Sequence, residues 1–144
     1  MIEIGARVQR VIDELTGNEA LLEMLETEAA TELLNWGIEL ATSLVKRTEG
    51  MDEAEAEQVL LQPLKAVRQT MRSVGNWAAG KYIESESRVH LRNKLLENFK
   101  LIFGEEARLP SAESMDELLN RVDDKNNTPQ QLILTLKQSL EEPG

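Results

Sequence analysis

Apolar residues recur every three or four positions along most of the chain, which is the spacing of amphipathic helices. The clearest example runs from about residue 28 to residue 48. Its predicted apolar face comprises Leu33, Leu34, Gly37, Leu40, Ala41, Leu44 and Val45. No stretch combines strict apolar and polar alternation with the β-branched and aromatic residues typical of strands. The pattern therefore predicts an all-α fold.

Two shorter helices are predicted before this one. The first carries Val8, Val11, Ile12 and Leu15. Gly17 is placed to end it in a left-handed conformation, and Asn18 can cap the second helix. The second carries Leu21, Leu22 and Leu25.

Turn and cap signals divide the middle of the chain. Gly50 is expected to end the long helix, and Asp52 with Glu55 has the spacing of a capping box at the start of the next one. Pro63 is expected to break or restart that helix, because proline lacks an amide hydrogen and clashes with the preceding turn. The apolar stripe that follows consists of Leu64, Val67, Met71, Val74 and Ala78.

A further helix is predicted to begin at Ser85 or Ser87 and to end at Gly104. Its expected inner residues are Val89, Leu95, Leu96, Phe99, Ile102 and Phe103. Residues 105–113 have no helical pattern and read as a connection. Ser114 with Glu117 has the spacing of another capping box. Thr128, Pro129 and Gln131 are placed as the cap, first-turn proline and capping-box partner at the start of a last helix.

These signals predict one all-α domain over residues 1–144, a compact helical bundle of about six or seven helices. Residues 1–104 are expected to form the main bundle, residues 105–113 the connection and residues 114–142 a C-terminal helical hairpin. The hairpin either packs on the bundle or serves as a docking arm.

The composition excludes several chemistries. The chain has no cysteine and one histidine, His90, so disulfides, thiolate zinc sites and multi-histidine metal sites are ruled out. The N-terminal residues lack the pattern of a signal peptide, and no apolar run is long enough to span a bilayer. We therefore expect a cytoplasmic protein without membrane partner, cofactor, metal ligands or catalytic residues, and not an enzyme.

One pair of acidic motifs invites comparison with an enzyme family. Glu23 and Glu26 form a Glu-x-x-Glu motif, and Glu49 and Asp52 form a Glu-x-x-Asp motif further along. This spacing resembles that of the all-α nucleotide pyrophosphatases of the MazG type, which implies a Mg²⁺-dependent enzyme as an alternative. In that family both motifs lie within helices, whereas here the second spans Gly50 and a predicted helix cap.

Charge is unevenly distributed along the chain. The formal net charge of −10 divides into −10 for residues 1–57, +5 for residues 58–100 and −5 for residues 101–144. Within the basic segment, helical spacing places Lys65, Arg68 and Arg72 together on the middle helix. It places Arg88 and Arg92 together on the following helix. The candidate binding residues are Lys65, Arg68, Arg72, Arg88 and Arg92.

This basic face has three interpretations. Its charges can be neutralised by acidic helices of the same fold, or they can bind an acidic protein partner or a second copy of the chain. A nucleic-acid-associated regulator is a further alternative. The overall charge of −10 repels a polyanion, however, and the sequence shows no recognition helix of a known DNA-binding motif. The sequence favours a non-enzymatic protein-interaction module, such as an adaptor, assembly factor or regulator.

Overall fold

The regular secondary structure of the described residues is entirely helical. A computed structural model describes residues 6–7, 9–10, 13, 27–80, 84–124 and 126–141. The elements are α1 (Thr27–Lys46), α2 (Glu53–Ala78), α3 (Ser85–Phe103), α4 (Ala112–Asn120), a 3₁₀ turn (Arg121–Asp123) and α5 (Pro129–Glu141). The all-α prediction is thus confirmed for this part of the chain. The two helices predicted before residue 27 fall largely on residues outside it.

Helix α2 lies at the centre of the packing, in contact with both α1 and α3. Helix α4 packs against α3, while α5 packs against α1 and also touches α2. All five helices contribute to one apolar cluster. The residues that α4 and α5 bury in it are Met115, Leu118, Leu119, Leu132, Ile133 and Leu136. Among the described residues, no helix has an apolar stretch long enough to cross a bilayer.

Local signals in the sequence account for several helix ends. Asp52 is the N-cap of α2, and its Oδ1 accepts a hydrogen bond from the amide of Glu55 at 2.8 Å. Thr128 and Gln131 form a reciprocal capping box at the start of α5. The amide of Thr128 donates to Gln131 Oε1 at 3.1 Å, and the amide of Gln131 donates to Thr128 Oγ1 at 3.2 Å. Gly50 has a φ of 87°, a left-handed conformation that allows the chain to leave α1 and enter α2.

Pro63 does not break its helix, so that prediction is wrong. Helix α2 continues without interruption from Glu53 to Ala78, with Pro63 inside it. The missing amide hydrogen leaves the carbonyl of Val59 without its helical partner. Because Val59 is exposed, water can hydrate that carbonyl. Packing of α2 against two neighbouring helices then outweighs the local cost of proline.

Two further expectations need correction. Helix α4 begins at Ala112 because Ser111, with extended backbone, is the N-cap and its Oγ accepts from the amide of Ser114. Ser114 is therefore inside the first turn and is not the cap. On α3, Val89 is 42% exposed, whereas Leu91 is buried. The inner face of that helix is thus rotated away from Val89 in its first half.

Candidate functional site

Arg88 is a buried residue that ties α3 to the end of α4. Its side chain donates from Nη1 to Asn120 Oδ1 at 3.0 Å and forms an ion pair from Nη2 to Asp123 Oδ2 at 2.7 Å. Arg88 is 8% exposed. These two contacts use different arms of the guanidinium, so its charge and its hydrogen-bonding capacity are largely committed within the fold.

Arg92, one turn further along α3, is also paired. Its Nη1 lies 2.7 Å from Asp116 Oδ2, and its Nε and Nη2 both donate to Asn93 Oδ1 at 3.1 Å. The acidic partners of Arg88 and Arg92 belong to α4 and the 3₁₀ turn, within the acidic C-terminal segment. For these two members of the predicted set, the charge is therefore balanced inside the molecule.

Lys65, Arg68 and Arg72 have different surroundings. All three are exposed on α2, on the side away from the buried Val67 and Met71. Lys65 and Arg72 form no ion pair with any residue in the described ranges. The structure thus divides the five candidate residues into an exposed group on α2 and an internally paired group on α3.

A polar groove of about 280 Å³ runs between α2 and α3. Its polar lining comprises Gln62, Lys65, Gln69, Lys94, Glu97 and Asn98. Sequence reasoning missed Lys94, because helical spacing within α3 does not reveal that this residue lies across a groove from Lys65. Leu101 borders the same groove and is 44% exposed.

Asn98 has an unsatisfied hydrogen-bond donor beside this groove. The residue is 4% exposed, and its Nδ2 has no hydrogen-bond partner among the residues that the structure describes. A buried amide without a partner costs on the order of 1–3 kcal/mol. The unpaired nitrogen itself has almost no accessible surface, so this cost falls on the fold.

A second groove, of about 250 Å³, lies on the other side of α2. Arg68 lines it together with Leu61 and Leu64. At its acidic end, Arg10 Nη2 lies 3.6 Å from Glu53 Oε1, and Arg10 Nη1 lies 3.4 Å from Glu57 Oε1. This second groove therefore combines an apolar wall with basic and acidic side chains, and Arg10 is already paired across it.

The acidic motifs of the enzyme alternative are only partly described. Asp52 uses a carboxylate oxygen to cap α2, and the left-handed Gly50 separates it from Glu49 in the turn. Glu23 and Glu26 lie outside the described residues. Within the described ranges, no three His, Asp or Glu side chains are grouped so that they could hold a metal ion.

Comparisons with protein-family models, with curated proteins and with solved structures find no match.

Proposed function

We propose that this protein is a non-enzymatic interaction module that binds an acidic surface of a protein partner through the exposed basic side chains of α2. These side chains are Lys65, Arg68 and Arg72. The observation that carries the proposal is the contrast between two pairs of residues. Lys65 and Arg72 are exposed and form no ion pair with the described residues, whereas Arg88 and Arg92 are paired with acidic residues of α4 and the 3₁₀ turn.

The charge of the molecule favours a protein partner over a nucleic acid. The exposed group holds three positive charges on a molecule whose net charge is −10. A long polyanion meets the repulsion of the whole molecule, whereas a small acidic patch on a protein meets mainly the local charges. The second copy of the chain remains a candidate partner, since the acidic segments of one molecule can face the basic group of another.

A charge-reversal experiment tests this proposal. The variant Lys65→Glu, Arg68→Glu, Arg72→Glu would be used as bait in quantitative affinity purification from nuclease-treated extracts of the source cells. We expect recovery of a specific partner to fall by at least about tenfold relative to the unaltered bait. Light scattering after gel filtration would show whether that partner is a second copy of the chain.

The matched control reverses three exposed basic residues elsewhere, with the variant Lys100→Glu, Arg108→Glu, Arg121→Glu. Both variants change the net charge equally, so only a local surface can separate them. Equal losses in the two variants would contradict the proposal. So would a bait that is always recovered alone and monomeric, or a partner that is recovered only from extracts not treated with nuclease.

The finer features predicted from the sequence belong to this proposal as well. They are a cytoplasmic location, a total of about six or seven helices and a C-terminal hairpin formed by residues 114–142. Cell fractionation tests the first of these. Hydrogen exchange along the whole chain tests the second, because helical amides exchange slowly.

A further inference from the structure

The second groove exposes apolar surface beside the basic residues of α2. Leu61 is 62% exposed, the highest fraction among the large apolar side chains of the described ranges. It lines the groove together with Ala56, Leu60 and Leu64. Folding buries most side chains of this size, so a leucine left open in an apolar groove indicates a surface that an apolar group of another molecule covers.

Leu61 lies on the same face of α2 as the exposed basic group. Lys65 follows it by four residues and Arg68 by seven, and these spacings correspond to one and two helical turns. Arg68 also lines the groove itself. An apolar contact bordered by charged side chains is typical of protein interfaces, in which apolar burial supplies affinity and the surrounding charges supply specificity.

Arg7 adds a buried positive charge to the wall of this groove. It is 7% exposed, and its guanidinium donates to the carbonyl and Oγ1 of Thr48 at 3.2 and 2.9 Å and to the carbonyl of Met51 at 3.2 Å. These acceptors are neutral, and Arg7 forms no ion pair with any residue that the structure describes. Because a buried charge is weakly screened, Arg7 favours an anionic group in the groove.

The charge and the size of the groove define the class of its occupant. Three arginines and two glutamates line it, so the charged lining is net positive, and both glutamates are paired with Arg10. The volume of about 250 Å³ is below the range of about 300–1,000 Å³ that is usual for cofactor and small-molecule sites. It suits single side chains of a protein. An acidic segment that carries an apolar side chain matches both properties.

We propose that the second groove binds an apolar side chain from an acidic segment of the protein partner, with Leu61 as the main apolar contact. Carboxylates that flank this side chain face Lys65 and Arg68. The inference rests on the proposed function and names the chemistry of the partner. The basic side chains attract the segment, and the apolar contact slows its release.

A defined peptide tests the groove in the full-length protein. Acetyl-Glu-Leu-Glu-Glu-Leu-Glu-amide would be titrated at low ionic strength into protein labelled with ¹³C at the leucine methyl groups. We expect the methyl signals of Leu61 and Leu64 in NMR spectra to shift in a saturable manner. Unchanged signals at both leucines would overturn the proposal. So would the same shifts on raising the concentration of the protein alone, because the occupant would then be a second copy of the chain.

Two further peptides separate the apolar contribution from the charge. Acetyl-Glu-Ser-Glu-Glu-Ser-Glu-amide lacks the apolar side chains, and acetyl-Lys-Leu-Lys-Lys-Leu-Lys-amide reverses the charge. Each is expected to bind at least about fivefold more weakly than the acidic leucine peptide. Equal affinity for the serine peptide would show that charge alone is recognised. Equal affinity for the lysine peptide would show that the partner is not acidic, and either result would overturn the proposal.

A pair of leucine variants separates binding from folding. Leu61→Gln is expected to weaken the acidic leucine peptide by about fivefold or more, whereas Leu101→Gln, at an exposed leucine of α3 outside the second groove, leaves binding unchanged. Because Leu61 is the more exposed of the two, Leu61→Gln is expected to lower the melting temperature no more than Leu101→Gln does. A larger decrease for Leu61→Gln would show that this leucine serves the fold, and would overturn the inference.

The two proposals can fail separately. If reversal of Lys65, Arg68 and Arg72 releases the partner while Leu61→Gln does not, the interaction module stands and the apolar contact is rejected. If neither change affects the partner, both proposals fail.

Discussion

At the scale of single residues, Arg88 shows how a charge is accommodated near the core. Removing a guanidinium from water is costly unless its charge is paired and its donors are satisfied. Asp123 supplies the charge and Asn120 an acceptor, while the Asp123 side chain remains 63% exposed. One partner therefore keeps much of its hydration, which lowers the desolvation cost of the pair. Arg88 thus acts in the fold and is poorly placed to bind a partner.

Replacing Arg88 by alanine is expected to lower the free energy of unfolding by about 1.5–3 kcal/mol, the range for losing hydrogen bonds to charged groups. Arg92→Ala is expected to cost less, about 0.2–1 kcal/mol, because the Arg92 side chain is 19% exposed, compared with 9% for Arg88. Urea unfolding followed by circular dichroism measures both. Arg88→Lys keeps the charge but loses the planar fork, so it should restore only part of the stability.

The control for this comparison is Arg72→Ala, on the exposed side of α2. A surface change of this kind is expected to remain within about 0.5 kcal/mol of the unaltered protein. If Arg88→Ala cost no more than Arg72→Ala, the contacts of Arg88 with Asn120 and Asp123 would not contribute to stability.

Only those parts of the candidate site that lie on a single helix could be predicted from the sequence. Arg88 and Arg92 are four residues apart on one helix, so their common face is readable from the sequence. Their acidic partners lie 24 to 35 residues further along, on other elements, and no periodicity links them. The same limit applies to Lys94, which lines the same groove as Lys65 only because α2 packs against α3.

At the scale of helices, the ends were easier to predict than the interruptions. A capping box such as Thr128 with Gln131 needs only residues three positions apart, so the sequence determines it locally. The effect of Pro63 depends instead on what surrounds the helix. Because α2 is held by α1 and α3 on either side, it tolerates a residue that would end an isolated helix.

Pro63→Ala is therefore expected to stabilise the protein. Alanine restores the hydrogen bond to the carbonyl of Val59, and the gain has an upper limit of about 3 kcal/mol, the difference between proline and alanine inside a helix. Greater freedom of the unfolded chain reduces this gain. Thermal unfolding measures it, with Gln58→Ala as the control for an exposed alanine substitution on the same helix. A lower melting temperature for Pro63→Ala would mean that the proline ring makes packing contacts worth more than the restored bond.

At the scale of the whole molecule, pairs between distant segments bind the C-terminal helices to the rest. The Nζ of Lys137 on α5 lies 2.9 Å from the Oε2 of Glu39 on α1. The ion pairs of Arg88 and Arg92 likewise join α3 to the 3₁₀ turn and to α4. The indole Nε1 of the buried Trp77 donates to the carbonyl of Leu119 at 2.8 Å. That carbonyl is among the last four of α4, which accept no hydrogen bond from an amide within the helix. The Trp77 indole therefore satisfies a carbonyl at the end of α4.

These contacts lead to a prediction about the isolated fragment of residues 1–104. Removing α4 and α5 takes Met115, Leu119, Ile133 and Leu136 from the core and leaves the Trp77 indole without its acceptor. Cavities of this size cost several kcal/mol together, which is a large part of the stability of a small domain. We therefore expect the fragment to lose its cooperative thermal transition and to bind a fluorescent apolar dye, whereas the full chain keeps the transition and does not bind the dye. If the fragment instead unfolded cooperatively at an unchanged melting temperature, the C-terminal helices would be a detachable docking arm. Partner binding would then have to be sought on their inner faces as well as on α2.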